Sequence, residues 1–145
     1  MKAFKTGLMT YFTATAGGAH NTFYLDMAGR LYDYGSVPPE SSREYPYAVF
    51  HIIGDIPEYP GGHTIEELIL EFSIFSADYS LADDYMTHLR TLYDDCVLTI
   101  TGYTPIYFIR SNFIDDVGDY IDLVTPSGTT GVKHSTQDYE IQITT

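Results

Sequence analysis

The sequence predicts an α+β domain with a mainly antiparallel sheet of about four strands, one long amphipathic helix and a weaker N-terminal helix packed on one face. Residues 68–76 (LILEFSIFS) alternate so that one side is wholly apolar, as in a strand that covers a core. A helical pattern follows directly, and residues 137–144 alternate again, with no regular strand–helix–strand repeat. The 145 residues are sufficient for a single domain, 1–145.

The long helix is predicted from an apolar stripe at three- and four-residue spacing. Ser80 precedes the stripe as an expected N-cap, and Asp83 follows three residues later as an acid near the positive helix end. The helix should pack on the sheet through its stripe. The stripe consists of Leu81, Tyr85, Leu89, Leu92 and Cys96. Cys96, the single cysteine, is expected to be a buried small hydrophobe.

The remaining elements are marked less clearly. Residues 3–15 place Phe4, Leu8 and Phe12 at helical spacing, but Gly7 and several threonines weaken that helix. Residues 22–25 form a short β-prone stretch, and residues 45–54 are apolar on both faces, as in an interior strand.

Two segments rich in proline, glycine and serine, residues 35–44 and 55–62, predict loops. Both are longer than a compact domain needs, so we expect them to reach neighbouring subunits or an adjoining ring. The candidate inter-subunit residues are Ser36, Val37, Pro38, Pro39, Glu40, Ile56, Pro57 and Tyr59.

The chain is strongly acidic, with a formal net charge of -13 from 20 acids and 7 lysines and arginines. The basic residues are scattered singly, which argues against direct binding of nucleic-acid phosphates. The sequence has no signal peptide pattern and no apolar stretch near the ~20 residues of a membrane span, so we expect no membrane partner and assembly in a cytoplasm.

No pattern in the sequence indicates catalysis, a metal or a cofactor. The five histidines lack metal-ligand spacing, and His51 is expected to be a hydrogen-bonded core residue. The acids at 115–122 lack the pattern of an EF-hand loop, and residues 127–131 (SGTTG) predict a turn, not a phosphate-binding loop. We therefore expect a protein without enzymatic activity.

Four short phrases occur in order in the first half of the chain: GRLYD at 29–33, VPP at 37–39, PYAVF at 46–50 and GD at 54–55. In this order they resemble the tail-completion, or tail-terminator, family of long-tailed phages. The resemblance continues over residues 30–143, through a strand, a helix with a leucine-rich stripe, a strand with arginine and aromatic residues, and a final alternating strand.

The resemblance implies a structural virion protein of the tail neck that caps the growing tail tube as a homo-oligomeric ring, a hexamer. Such a ring ends tail polymerisation, contacts the tail-tube protein and the head-tail connector or stopper, and lets DNA pass without binding it. Acids lining the lumen would repel DNA; the candidates are Asp115, Asp116, Asp119 and Asp122, with Glu71 and Glu140. A connector or stopper on the head side, or a small-molecule binding module or enzyme, is the alternative.

Overall fold

The computed structural model describes residues 2–14, 21–58, 65–98, 100, 102–103, 106–115, 122–125 and 128–144. Three α-helices are present in these ranges: α1 (Lys2–Ala14), α2 (Thr22–Asp26) and α3 (Ala82–Tyr93). The strands are β1 (Leu31–Asp33), β2 (Tyr47–Glu58), β3 (Ile65–Ser76), β4 (Val97–Leu98), β5 (Ile106–Ile114), β6 (Asp122–Thr125), β7 (Gly128–Gly131) and β8 (Lys133–Thr144).

The predicted fold class, with a mainly antiparallel sheet of about four strands, is wrong in the number and direction of its strands. The main sheet has six strands in the order β1-β2-β3-β8-β5-β4, and it is mixed and curled, because β1 runs parallel to β2 while the other neighbours are antiparallel. A second, two-stranded sheet pairs β6 with β7, where a turn was predicted. The undercount arose because β1 and β4 span only three and two residues, too few to show an alternation.

The core lies between the helices and one face of the main sheet. β3 contributes Leu68, Leu70, Phe72 and Ile74 to this face, all at most 2% exposed. From β8 come Tyr139, Ile141 and Ile143, which are equally buried. The alternation seen in both strands therefore does orient their apolar sides toward the core.

α1 is not the weaker helix. It has 13 residues against 12 in α3, and Phe4, Leu8 and Phe12 are at most 1% exposed. Gly7, which weakened the prediction, lies against Ile100: a Cβ added at Gly7 would lie 2.8 Å from two side-chain carbons of that residue. The glycine therefore permits a close approach, and its cost in helix propensity is offset by packing.

α2 occupies the stretch predicted to be β-prone. Asn21 caps it, since its side-chain oxygen accepts a hydrogen bond from the Tyr24 N–H at 2.9 Å, and Phe23 is buried. The β-branched and aromatic composition of residues 22–25 gave the wrong prediction because a helix cap and burial outweigh β propensity here.

α3 begins one residue later than predicted. Leu81 is its N-cap and is 39% exposed, while Ser80 donates to Asp78 instead of capping the helix. The rest of the predicted stripe is buried, and burial raises the pKa of the Cys96 thiol. The stripe also includes two buried residues that the spacing argument omitted, Met86 and Tyr93.

β2 extends further than the sequence suggested. Residues 55–58, predicted as part of a loop, continue the strand and pair with β3 past an irregularity between Ile52 and Gly54. Proline and glycine marked this segment as a loop, but Pro57 lies in β2 and pairs in register with Glu66. The prediction of an interior strand holds for residues 47–50, which are buried, but Ile53 is 46% exposed.

Candidate assembly surface

The side of the main sheet opposite the helices is here called the open face. The strand alternation and the pairing register of β2, β3, β8, β5 and β4 determine which side chains lie on this face. Rows of cross-strand neighbours cover it, among them His51–Glu71–Asp138, Ile69–Glu140–Ile109 and Val97–Tyr107–Gln142. The open face has two parts, one under a folded segment and one exposed.

Residues 34–46 fold back over the first part of the open face. Arg43 holds this segment together, because its Nε donates to the Pro38 carbonyl oxygen at 2.8 Å. Arg30 anchors its end through an ion pair of 3.0 Å with Glu44. The Tyr34 ring stacks on His51 with centroids 4.3 Å apart. The segment predicted to reach a neighbouring subunit therefore contacts its own sheet.

The five candidate residues of this segment are not equally accessible. Ser36, Pro39 and Glu40 are exposed, whereas Val37 and Pro38 are half-buried. Three residues thus remain free to contact another chain, and Val37 instead lines a cavity.

A cavity of about 490 Å³ lies between this segment and the open face. Tyr34, Tyr47 and Phe75 supply aromatic walls, and the Tyr47 and Phe75 rings stack at 4.8 Å. Glu71 and Arg43 contribute the formal charges of its lining. Its remaining titratable groups are His51 and His134, the latter stacked on Phe75 at 4.2 Å. His51 therefore lies on the open face. The sequence-based expectation that it is a core residue was wrong.

Glu71 lies directly opposite Asp138 across the β3–β8 pairing. Burial, and then the Asp138 carboxylate, raise the pKa of Glu71 above its ordinary value. Burial also raises the pKa of Asp138, against the lowering effect of a hydrogen bond from Asn112. Ser73 Oγ donates to Glu71 Oε1 at 3.4 Å. Among the ion pairs of the described residues, none includes either carboxylate.

The second part of the open face carries an exposed apolar strip. Val97, Tyr107 and Ile109 are 46%, 56% and 59% exposed, and they lie side by side because Val97 pairs with Tyr107 and Ile109 is two residues further along β5. Glu140 and Gln142 on β8 are exposed next to them. An exposed apolar strip with a polar border is typical of a protein interface.

The second predicted inter-subunit segment lies only partly in the described chain. Ile56 and Pro57 belong to β2, where they pair in register with Glu67 and Glu66. They are thus in a strand of the main sheet, not in a loop. Tyr59 lies outside the described residues.

Of the four candidate lumen acids, the structure describes Asp115 and Asp122. Asp115 is exposed, but its carboxylate pairs with Lys133 Nζ at 3.0 Å, and its carbonyl oxygen accepts a hydrogen bond from Ser135 Oγ. Asp122 is in β6 opposite Gly131. Asp116 and Asp119 lie outside the described residues. Of the other two acids, Glu71 faces the cavity and Glu140 borders the apolar strip.

The described ranges contain no group of three or more histidines, cysteines and acids that could hold a metal ion. Within the same ranges, no helix is long and apolar enough to span a membrane.

The cavity could not be predicted from the sequence because its residues come from four separate stretches that only the strand register brings together. One signal was present, a glutamate at position 71 between apolar neighbours, which places a charge in a central strand of the sheet. The apolar strip was not predicted either, because both sides of residues 106–109 carry apolar side chains and the sequence does not show which side faces solvent.

No family model matches the sequence. No curated protein matches it either. Among solved structures, a chain from the virion of a native gene transfer agent particle has a similar fold, with a TM-score of 0.57. The two share 11% identical residues over 92% of this chain and 90% of that chain. At this identity the likeness establishes a shared fold.

Proposed function

We propose that this chain is a structural virion protein that caps a tail tube as a ring, ends tail polymerisation and joins the tail to the head. The observation that carries the proposal is the fold shared with a chain of a phage-like virion over nearly the full length of both chains. The phrases in residues 28–55, which resemble the tail-terminator family, support the same role from the sequence. The chain would act without enzymatic activity, in the tail neck of the particle.

A ring requires that one surface of each copy bind a different surface of the next, so that the rotation closes. The exposed apolar strip of Val97, Tyr107 and Ile109 is the surface that we assign to this contact between copies. Burying exposed aliphatic and aromatic side chains is favourable at roughly 25 cal/mol per Å² of apolar surface. A six-membered ring, as in the family that the sequence resembles, is the proposed assembly. The tail-tube protein and a head-tail connector or stopper are its proposed neighbours.

The strip can be tested with a matched control. Tyr107→Ser combined with Ile109→Ser should convert the ring to monomers in light scattering coupled to size exclusion. Leu25→Ser is the control, because Leu25 on α2 is an apolar residue at 66% exposure outside the strip. If both variants form rings like the unchanged chain, or if both fail to, the strip is not the contact.

The tail-capping role itself can be tested in cells that produce particles containing this chain. Removing the chain should yield tail tubes of uncontrolled length that lack heads, and supplying it again should restore tails of defined length. Tubes of normal length with unattached heads would refute the capping role and assign the chain to the connector or stopper side.

A further inference from the structure

The geometry points to a receptor site for a basic side chain: the cavity over the open face accepts an arginine or lysine side chain of another protein, with Glu71 as its ion-pair partner. The proposal relies on the proposed function only in that the other protein is a further component of the particle. Three features of the cavity, together with the charge of the whole chain, support this proposal.

The walls of the cavity are suited to a cation. Tyr34, Tyr47 and Phe75 surround a space of about 490 Å³, which is enough for one long side chain. Aromatic rings attract cations electrostatically, guanidinium most often. The Tyr34 ring is 64% exposed at the rim, so a side chain can enter beside it.

The floor of the cavity carries one carboxyl group, that of Glu71, which has no ion-pair partner among the described residues. Glu71 and its cross-strand neighbour Asp138 make no ion pair with any described residue. One carboxylate oxygen of Asp138 is buried and accepts no hydrogen bond within the described part of the chain. Two partly buried carboxylates that face each other across neighbouring strands repel each other, and a cation bound to Glu71 in the cavity lowers that cost.

No basic group that lines the cavity forms an ion pair with Glu71 among the described residues, although His51, its neighbour across the β2–β3 pairing, lowers the pKa of that carboxyl. Arg43 directs its Nε to the Pro38 carbonyl and lies more than 4.0 Å from any described carboxylate oxygen, since no ion pair includes it. His51 and His134 each stack on an aromatic ring, Tyr34 and Phe75 respectively.

The charges of this chain argue against a second copy as the source of the cation. All seven lysines and arginines lie in the described residues, and six of them already make internal contacts. Only Lys2, exposed at the start of α1, is without a contact among the described residues. A chain with a net charge of -13 also repels its own copies, whereas a basic partner is attracted to it. The occupant is therefore a side chain of a different, basic protein.

The site can be tested on the isolated chain with N-acetyl-L-argininamide as the probe and N-acetyl-L-citrullinamide as its uncharged isostere. In a nitrogen-15 NMR titration, the arginine probe should shift the amides of Glu71, Ser73 and Phe75 saturably. The citrulline probe should bind at least fivefold more weakly. Glu71→Gln should abolish this discrimination, whereas Glu140→Gln, an exposed acid on the same face outside the cavity, should preserve it.

Several outcomes would overturn the proposal. Equal shifts by the two probes, no saturable shift, or discrimination that survives Glu71→Gln would show that the cavity does not recognise a cation. Stronger binding of N-acetyl-L-glutamate would show instead that Arg43 makes it an anion site. Loss of self-association in both Lys2→Ala and Glu71→Gln would place a second copy in the cavity.

The probe titration requires no ring or particle, so its failure leaves the capping role intact. Conversely, if the chain binds the arginine probe but remains monomeric, the proposed cation site is supported and the proposed ring is refuted.

Discussion

Glu71 and Asp138 lie opposite each other on β3 and β8, and within the described part of the chain neither carboxylate has an ion-pair partner. The pKa of both groups is raised, chiefly by burial. Between the ordinary pKa of a carboxyl group and the raised value, the folded chain binds more protons than the unfolded chain. This pair's contribution to stability therefore falls as the pH rises through that interval and stays low above it.

From this pair we expect Glu71→Gln to raise the melting temperature at pH 7 and to leave it unchanged near pH 3, where both forms of the side chain are neutral. Glu140→Gln, at an exposed position of β8, is the control and should have little effect at either pH. Thermal unfolding followed by circular dichroism measures both. A lower melting temperature for Glu71→Gln at pH 7 would show that the ionised carboxylate stabilises the fold.

The helix stripe gives a second prediction. Leu89 is completely buried, so Leu89→Ala should cost about 2–5 kcal/mol of unfolding free energy through lost burial and a residual cavity. Leu81, which the sequence placed in the same stripe, is 39% exposed, and Leu81→Ala should cost less than about 0.5 kcal/mol. Urea unfolding of the two variants compares them directly. Equal losses would mean that Leu81 is buried in solution, for example in an assembly.

The contrast between these two leucines shows what the sequence can predict. Spacing identifies the buried side of α3 because a helix repeats every 3.6 residues, but it does not fix the helix start, where Asp78 binds Ser80 and leaves Leu81 as the N-cap. The predicted stripe is therefore buried at Leu89 and its neighbours, but the prediction was wrong for its first residue, Leu81.

Longer-range features were less predictable. β1 pairs in parallel with β2 through three residues, and no local pattern encodes such a pairing. The cavity depends on a strand register that places His51 next to Glu71, although 20 positions separate them in the sequence. Cross-strand contacts of this kind arise from tertiary structure and are invisible to propensity or spacing.

The close approach of α1 to Ile100 gives a third prediction. Alanine usually stabilises a helix interior by about 1 kcal/mol relative to glycine, but Gly7→Ala would place its Cβ 2.8 Å from the Ile100 side chain. We therefore expect Gly7→Ala to destabilise the chain, and to become neutral or stabilising in an Ile100→Ala background. A double-mutant cycle measures the coupling. Additive effects would show that Ile100 moves away without cost.

The segment over the open face gives a fourth prediction. Replacing residues 36–43 by a short glycine-serine linker should leave the far-UV circular dichroism unchanged, because the core lies on the other side of the sheet. The variant should lose discrimination between the arginine and citrulline probes, since Arg43 and Val37 no longer close the cavity. It should also assemble more weakly if Ser36, Pro39 and Glu40 contact a neighbouring subunit. Normal incorporation into particles would refute that last role.

The final prediction concerns the acids. Copies with a net charge of -13 repel one another when a ring forms, and that repulsion is screened over about 8 Å at physiological ionic strength. The association constant should therefore rise with added sodium chloride or with mildly lowered pH. Asp115 already pairs with Lys133, so Asp115→Asn should change this salt dependence little. If Asp116, Asp119 and Asp122 line the lumen, replacing all three with asparagine should flatten the salt dependence. Replacing them with lysine should slow DNA ejection from tails of normal appearance. Unchanged salt dependence and unchanged ejection in these variants would mean that the acids face outward and serve solubility.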